Sequence, residues 1–274
     1  MFLELRDGAR LPQLGFGVYK VSDEAVVDAV STALDAGYRL VDTATLYGNE
    51  HGVGVAVRAA GLARDEVFVT TKLWNDAHGA LRARAAFHAS EQRLGLGRPD
   101  LYLIHWPCPG QDLYAETWRE LLRLRDEGLV PSVGVSNFQV AHLERIIADS
   151  GESPVVNQVE LHPYLQQREL RAFHAEHGIV TQAWSPLGRG QVLRDPVIAD
   201  IAARHGASPA QVVLRWHLDL GHGVIPKSVT PARIRENHDL EHVVLDADDH
   251  ARIAALDRGR RTGSDPDRVG GPGG

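Results

Sequence analysis

The first half of the chain contains four side chains with complementary acid–base chemistry: Asp42, Tyr47, Lys72 and His105. A phenol has a pKa near ~10, and an adjacent ammonium lowers that value by stabilising the phenolate. We expect Lys72 to supply this charge for Tyr47, and Asp42 to keep the buried lysine protonated. A neutral His105 can donate a hydrogen bond that orients a carbonyl oxygen toward Tyr47. The set predicts protonation of an alkoxide forming on a carbonyl carbon, with the hydride supplied by a cofactor.

Lysine is rare in this chain, which makes each lysine informative. Among 29 basic residues only Lys20, Lys72 and Lys227 are lysines, so arginine serves wherever a generic positive charge suffices. A compact ammonium with a tunable pKa is the property that arginine cannot supply. Lys72 and Lys227 fall at the ends of predicted strands.

The four residues must be brought together by the fold, because about 30 residues separate one predicted strand end from the next. An Asp-Gly hairpin signal lies at residues 6–9, between apolar stretches that could cap one end of a domain. Apolar, β-branched runs then predict strands at 15–20, 39–42, 66–72, 100–105, 132–136, 155–160, 179–184 and 223–227. Helical spacing predicts helices at 23–36, 49–60, 78–94, 114–127, 140–149, 167–177, 196–205 and 208–219, another opening at Pro231, and a last one at 246–257.

Eight strand–helix pairs without a linker predict an α/β fold, a (β/α)8 TIM barrel with an N-terminal β-hairpin and an extra C-terminal helix. We expect residues 1–274 to form one domain, with the Gly-, Pro- and Asp-rich residues 262–274 as a mobile tail. Barrel active sites are assembled at the carboxyl ends of the strands, so the four residues should meet at one mouth. The Gly15–Gly17 pair is no dinucleotide fingerprint, since Lys20 replaces the third glycine.

Composition excludes several other classes of protein. The chain is 43% hydrophobic and 24% charged, with a net charge of −7 and no basic run, which argues against a nucleic-acid surface. No apolar stretch approaches the ~18 residues of a membrane span, and the acidic amino terminus is not a secretory signal. With Cys108 as the only cysteine, we expect a cytoplasmic protein.

Six motifs in one order resemble the signature segments of the aldo-keto reductases, and the bacterial branch with the diketogluconate reductases most of all. They are Asp42–Ala44 with Tyr47–Glu50, Thr71–Trp74, Leu103–Pro107, Gly134–Phe138, Asn157–Glu160 and Ile225–Ser228. Trp184, where many relatives have tyrosine, suggests the branch. The resemblance runs from the hairpin to about Asp257.

The resemblance implies a function and the residues that carry it. Tyr47 would be the proton donor, Lys72 and Asp42 would tune it, and His105 would orient the substrate. The cofactor would be NADPH: Ser136, Asn137 and Gln158 match the residues that bind the nicotinamide amide, and Trp184 the aromatic that stacks on the ring. Ser185, Leu187 and Gly188 match residues along the pyrophosphate. The 2′-phosphate clamp and the adenine contacts would come from Lys227, Ser228, Val229, Thr230, Arg233, Glu236 and Asn237.

The predicted 2′-phosphate clamp also has a physical basis that does not depend on the resemblance. The residues before Pro231 lie at a helix amino terminus, which attracts anions. Tyr19, Trp74 and Trp106 would line the substrate pocket with His105, which suits apolar carbonyl compounds and keto sugars alike.

The sequence thus predicts a monomeric, NADPH-dependent reductase of aldehydes, ketones or keto sugars. Two alternatives remain: an NADPH-binding regulatory barrel without catalysis, and a metal-dependent hydrolase. The intact catalytic set opposes the first, and the lack of paired histidines or acids at strand ends opposes the second.

Overall fold

The structure is a computed structural model that describes residues 1–270. A two-stranded antiparallel hairpin opens the chain, with β1 (Phe2–Glu4) paired to β2 (Arg10–Pro12). Eight parallel strands follow: β3 (Phe16–Gly17), β4 (Leu40–Asp42), β5 (Phe68–Leu73), β6 (Leu101–Ile104), β7 (Ser132–Ser136), β8 (Val156–Glu160), β9 (Val180–Trp184) and β10 (Gly223–Val224). Each strand pairs with the next one along the chain.

Ten α-helices within residues 1–270 connect and cover these strands. They are α1 (Asp23–Asp35), α2 (Glu50–Ala59), α3 (Ala80–Leu94), α4 (Tyr114–Asp126), α5 (Val140–Ser150), α6 (Arg168–Glu176), α7 (Pro196–His205), α8 (Pro209–Asp219), α9 (Pro231–His238) and α10 (Ala247–Ala254). Their starts follow local rules: the Ser22 hydroxyl accepts a hydrogen bond from the Ala25 N–H, and Pro196, Pro209 and Pro231 occupy first-turn positions.

The first and last barrel strands meet and close the sheet into a ring. Gly15 N–H donates to the Val224 carbonyl at 2.8 Å, and Gly17 N–H donates to the Pro226 carbonyl at 3.0 Å. A Cβ on Gly17 would lie 2.9 Å from the Ile225 carbonyl oxygen, so a side chain there would hold the two strands apart. The glycine pair therefore serves barrel closure, and the predicted (β/α)8 fold with its hairpin and last helix is confirmed.

Two strands are shorter than predicted at the point of closure. β3 ends at Gly17 because the chain then turns: the Val21 N–H donates to the Val18 carbonyl at 3.2 Å, and Lys20 takes a left-handed conformation within this turn, with φ of 58°. β10 ends at Val224 rather than Lys227, since Pro226 has no N–H to continue the ladder.

One end of the barrel is filled by apolar side chains. Leu5 and Leu11 of the hairpin pack with Leu40, Leu103 and Ile225 in a buried cluster. The hairpin thus closes the amino-terminal end of the barrel, and polar groups occupy the carboxyl ends of the strands.

The last described residues, 262–270, are named here the tail. The amide groups of Thr262 and Gly263 donate to Glu160 at 2.6 and 3.0 Å, and Val269 is buried. The mobility expected for residues 262–274 stays a prediction, and residues 271–274 lie outside the described part.

Candidate active site

A buried ion pair joins the ends of β4 and β5. Lys72 Nζ donates to Asp42 Oδ1 at 2.6 Å and to the Thr43 carbonyl at 2.8 Å, and neither charged side chain reaches solvent. Burial raises the pKa of Asp42 and lowers the pKa of Lys72, while the opposite charge of each partner counters both shifts. The close contact lets both groups stay charged where a lone charge would be costly.

Tyr47 lies above this pair in the short 3₁₀ turn Thr45–Tyr47, which precedes α2. Its ring centroid is 5.2 Å from Lys72 Nζ and 5.7 Å from the His105 ring. Gly48 supplies the left-handed conformation, with φ of 66°, that turns the chain from this phenol into α2. The four residues expected to share chemistry therefore come together at the barrel mouth.

The sequence predicted that Lys72 would lower the pKa of Tyr47, and this prediction was wrong. Burial, followed by the charge of Asp42 and then Tyr19, raises the pKa of Tyr47 well above its usual range. Burial outweighs the charges near the phenol, because a buried phenolate would lose the hydration that stabilises it in water. Tyr47 consequently holds its proton at neutral pH, as a proton donor must.

His105 directly follows β6, where its backbone N–H donates to the Leu73 carbonyl at 3.1 Å. Burial and the charge of Lys72 hold its pKa well below 6.5, so the imidazole is neutral, as expected from the sequence. Its buried Nδ1 has no hydrogen-bond partner within the described residues. The ring packs edge-on against Trp74 at 5.1 Å between centroids, which fixes its orientation at the mouth.

Hydrogen bonds lock the next group of polar residues, at the ends of β7, β8 and β9. Trp184 Nε1 donates to Asn137 Oδ1 at 2.8 Å, and Asn137 Nδ2 donates to the His105 carbonyl at 2.9 Å. Ser136 Oγ donates to the Gln158 carbonyl at 2.7 Å. Asn137 sits in a left-handed conformation, φ 64°, which asparagine tolerates better than most residues. The half-buried Trp184 indole is thereby held at a fixed angle at the barrel mouth.

One connection at this site was not foreseen from the sequence. Gln158 Nε2 donates to Asp42 Oδ2 at 2.7 Å and to Gln182 Oε1 at 2.8 Å. A possible signal was present, since Gln158 and Gln182 are amides inside apolar strands and pair in register. Gln158 therefore supports the ion pair as well as lying among the expected cofactor residues.

The residues expected to meet the far end of the cofactor lie after β9 and β10. Ser185 and Gly188 adopt left-handed conformations in the loop after β9, and Leu187 lies between them, half-buried. Lys227 and Arg233 are exposed, and no acid pairs with either within residues 1–270. Ser228 Oγ accepts the Thr230 N–H at 3.1 Å, directly before α9. Around these cations lie Val229, which is exposed, Glu236, which is half-buried, and Asn237, which is buried.

Aromatic side chains surround the mouth beside His105. Tyr19 is 46% exposed, with its ring 5.0 Å from that of Tyr47, while Trp74 and Trp106 are half-buried. The Trp106 and Trp184 rings meet at 6.5 Å. The expected substrate residues thus face the same opening as the catalytic set.

Residues 1–270 hold no group of three or more His, Cys, Asp or Glu side chains arranged to bind a metal ion. In the same part of the chain, no helix is both long and apolar enough to cross a bilayer.

Comparison with known proteins decides the family. The model of the aldo/keto reductase family matches residues 13–258. The chain belongs to the aldo/keto reductase family. It is therefore an oxidoreductase, and the family expected from the six motifs is confirmed.

Relatives of known name support this assignment over the whole chain. Methylglyoxal reductase DkgA of Salmonella typhimurium is 52% identical over 271 residues, which is 98% of each chain. An aldo-keto reductase of Mycolicibacterium smegmatis is 50% identical, covering 96% of each chain.

Solved structures of this family have the same fold. An aldo/keto reductase from Brucella melitensis is 54% identical with a TM-score of 0.91, covering 94% of this chain and 98% of that one. A point mutant of Gox0644, solved in complex with NADPH, is 48% identical with a TM-score of 0.94, covering 98% of each chain.

Proposed function

We propose that the chain, as one barrel domain, reduces small aldehydes, ketones or keto sugars to alcohols with NADPH, and that Tyr47 donates the proton. The single observation that carries this proposal is the arrangement of Tyr47 above the buried Lys72–Asp42 pair and beside a neutral His105. The DkgA relative, named as a methylglyoxal reductase, makes small dicarbonyl compounds the first substrates to test.

The residues of the mouth fit a phosphorylated dinucleotide. Lys227 and Arg233 are exposed cations without acidic partners in the described chain, and the amino terminus of α9 adds its own attraction for an anion. This donor set suits the 2′-phosphate that distinguishes NADPH from NADH. Val229, Thr230, Glu236 and Asn237 would surround the adenosine end, and Ser185, Leu187 and Gly188 the pyrophosphate.

NADPH, when bound, supplies the hydride that reaches the carbonyl carbon. Ser136, Asn137 and Gln158 would hold its nicotinamide amide, and the fixed indole of Trp184 would offer a flat face for the ring.

Each catalytic residue then has a distinct task. His105, whose imidazole is neutral, orients the carbonyl oxygen by a hydrogen bond. Tyr47 gives its proton to the oxygen as negative charge develops there. The Lys72 ammonium stabilises the resulting phenolate, and Asp42 keeps that ammonium charged in its buried site. Tyr19, Trp74 and Trp106 exclude water from the reacting carbonyl.

The test is the absorbance of NADPH over time with methylglyoxal and a keto sugar, for wild type and Tyr47→Phe. We expect Tyr47→Phe to lose at least about 100-fold in kcat, because general acid catalysis contributes this much, while the Kd of NADPH stays within about twofold. Tyr102→Phe is the matched control, because it removes the hydroxyl of a buried tyrosine that packs in the hydrophobic core.

A Tyr47→Phe variant with near wild-type turnover would contradict the proton-donor assignment. NADPH binding without reduction of any carbonyl would favour the regulatory barrel, and a rate lost reversibly on metal chelation would favour the hydrolase. The cytoplasmic location and the monomeric state stay predictions.

A further inference from the structure

A buried carboxylate at the end of β8 has no part in the proposed chemistry. Glu160 is fully buried and accepts hydrogen bonds from His162 Nε2 at 3.1 Å, from the Thr262 and Gly263 amides, and from the Thr262 hydroxyl. Burial alone would raise the pKa of Glu160, but these hydrogen bonds lower it to about 2. Within residues 1–270 no Lys or Arg pairs with this carboxylate, and the groups that hold it charged come mainly from the tail.

The tail connects this carboxylate with two other loops of the barrel mouth. Asp267 lies 3.6 Å from His142, which is on α5 after β7. Gly270 lies against Gly110, in the loop after β6, where a Cβ would be 3.4 Å from the Gly270 carbonyl oxygen. The tail therefore crosses the side of the mouth formed by β6, β7 and β8.

At its beginning the tail touches the indole of Trp184. A Cβ built on Gly263 would lie 2.5 Å from Trp184 Cη2 and 3.1 Å from Glu160 Oε2, so only a glycine fits between them. The other end of the indole is fixed by its hydrogen bond to Asn137. The position of Gly263 and that of the Trp184 ring thus depend on each other.

The same carboxylate also reaches the loop after β9 through His162. A Cβ on Gly188 would lie 3.5 Å from His162 Cγ, so this ring packs against the loop expected along the cofactor pyrophosphate. Glu160 consequently links the tail on one side with the Gly188 loop on the other.

We propose that Glu160 is a positioning residue that holds the tail against Trp184 and thereby sets the fit between the substrate carbonyl and the nicotinamide. This inference rests on the proposed function. Glu160 acts through Gly263 and Trp184 and touches neither reactant.

The first test is Glu160→Gln, which keeps the size of the side chain but replaces one acceptor oxygen by an NH₂ group. Trypsin cleavage between Arg261 and Thr262, followed by mass spectrometry, reports release of the tail, because the Thr262 amide is bound to Glu160 in the intact site. We expect cleavage to become at least about tenfold faster, as for loss of a hydrogen bond to a charged group. Glu144→Gln is the control, since Glu144 is exposed on α5.

Kinetics separate positioning from a general loss of folded protein. For Glu160→Gln we expect the KM of a keto sugar to rise about tenfold, with a smaller change for methylglyoxal, which touches less of the pocket. An unfolded fraction would instead lower kcat equally for both substrates and leave both KM values unchanged.

Gly263→Ala tests the same contact without altering the charge, and it serves if Glu160→Gln does not fold. Its new methyl group must displace the Trp184 ring, so we expect the quenching of tryptophan fluorescence on NADPH binding to change, together with the KM of the keto sugar.

The outcomes separate this inference from the proposed function. Unchanged cleavage in Glu160→Gln would overturn it, as would a released tail with wild-type KM for both substrates. Wild-type protein that reduces no carbonyl would refute the proposed function, while the cleavage and fluorescence assays would still show whether Glu160 holds the tail.

Discussion

Lys72 and Asp42 form a buried ion pair whose charges are stabilised by the groups around them. The pair is stabilised by its short contact, by the Thr43 carbonyl and by the amide of Gln158. The positions of Lys72 and Asp42 at predicted strand ends indicated that both side chains lie at the barrel mouth, because the carboxyl ends of barrel strands converge there. The sequence could not predict the direction of the Tyr47 pKa shift, which depends mainly on how deeply the fold buries the phenol.

Arg233 offers a test of cofactor choice at the level of a single residue. We expect Arg233→Ala to raise the Kd of NADPH about tenfold, since a hydrogen bond to a charged group is lost, and to leave the Kd of NADH within about twofold. The measurement is titration of tryptophan fluorescence with each cofactor. Arg235→Ala is the matched control, because Arg235 is also exposed on α9. Equal losses for both cofactors would place Arg233 away from the 2′-phosphate.

The barrel strands show why the element count was easier to predict than the element ends. The fully buried β6 is a short apolar run between a helix and a loop, and such a run is visible in the sequence. The ends of β3 and β10 depend on the backbone of Lys20 and on the missing N–H of Pro226. The contact between Glu160 and the tail joins residues about 100 positions apart. No local sequence pattern predicts such a contact.

The absence of a side chain at Gly17 lets β3 lie close to the segment after β10. We expect Gly17→Ala to lower the free energy of unfolding by about 1–3 kcal/mol, as in other overpacked sites, because its Cβ would press on the Ile225 carbonyl. Urea unfolding followed by circular dichroism measures this change. Gly270→Ala is the control, since within residues 1–270 the nearest atom beyond its chain neighbours is 3.8 Å from its Cβ. Wild-type stability in Gly17→Ala would mean that β3 and β10 have room to separate.

Buried histidines make the stability of the folded protein depend on pH. Burial lowers the pKa of His174 and of His222 to about 3, whereas an unfolded chain has histidine values near ~6.5. Below pH ~6.5 the unfolded state therefore binds more protons, and stability falls as the pH drops toward 3.

We expect the free energy of unfolding to be level above pH ~7 and to fall by up to about 1.4 kcal/mol per pH unit for each such histidine below pH ~6. Urea unfolding curves recorded between pH ~8 and pH ~5, in steps of about one pH unit, measure this free energy of unfolding. His51→Gln, at an exposed position, should keep the slope, and His174→Asn should reduce it. A stability that stays constant from pH ~7 to ~5 would contradict the neutral state of the buried rings.

The closure of the ring has a consequence for how the protein is made. Seven strand pairings of the barrel join neighbours along the chain, but the contact of Gly15 and Gly17 with the Val224–Pro226 segment spans most of the length of the chain. During synthesis the early βα units leave the ribosome with one edge of β3 unpaired, and they keep it until the last barrel strand emerges. An unpaired edge invites association with other chains. β3 is short, and glycines lie on either side of Phe16. Both features limit the surface that the unpaired edge exposes to other chains before the last barrel strand emerges.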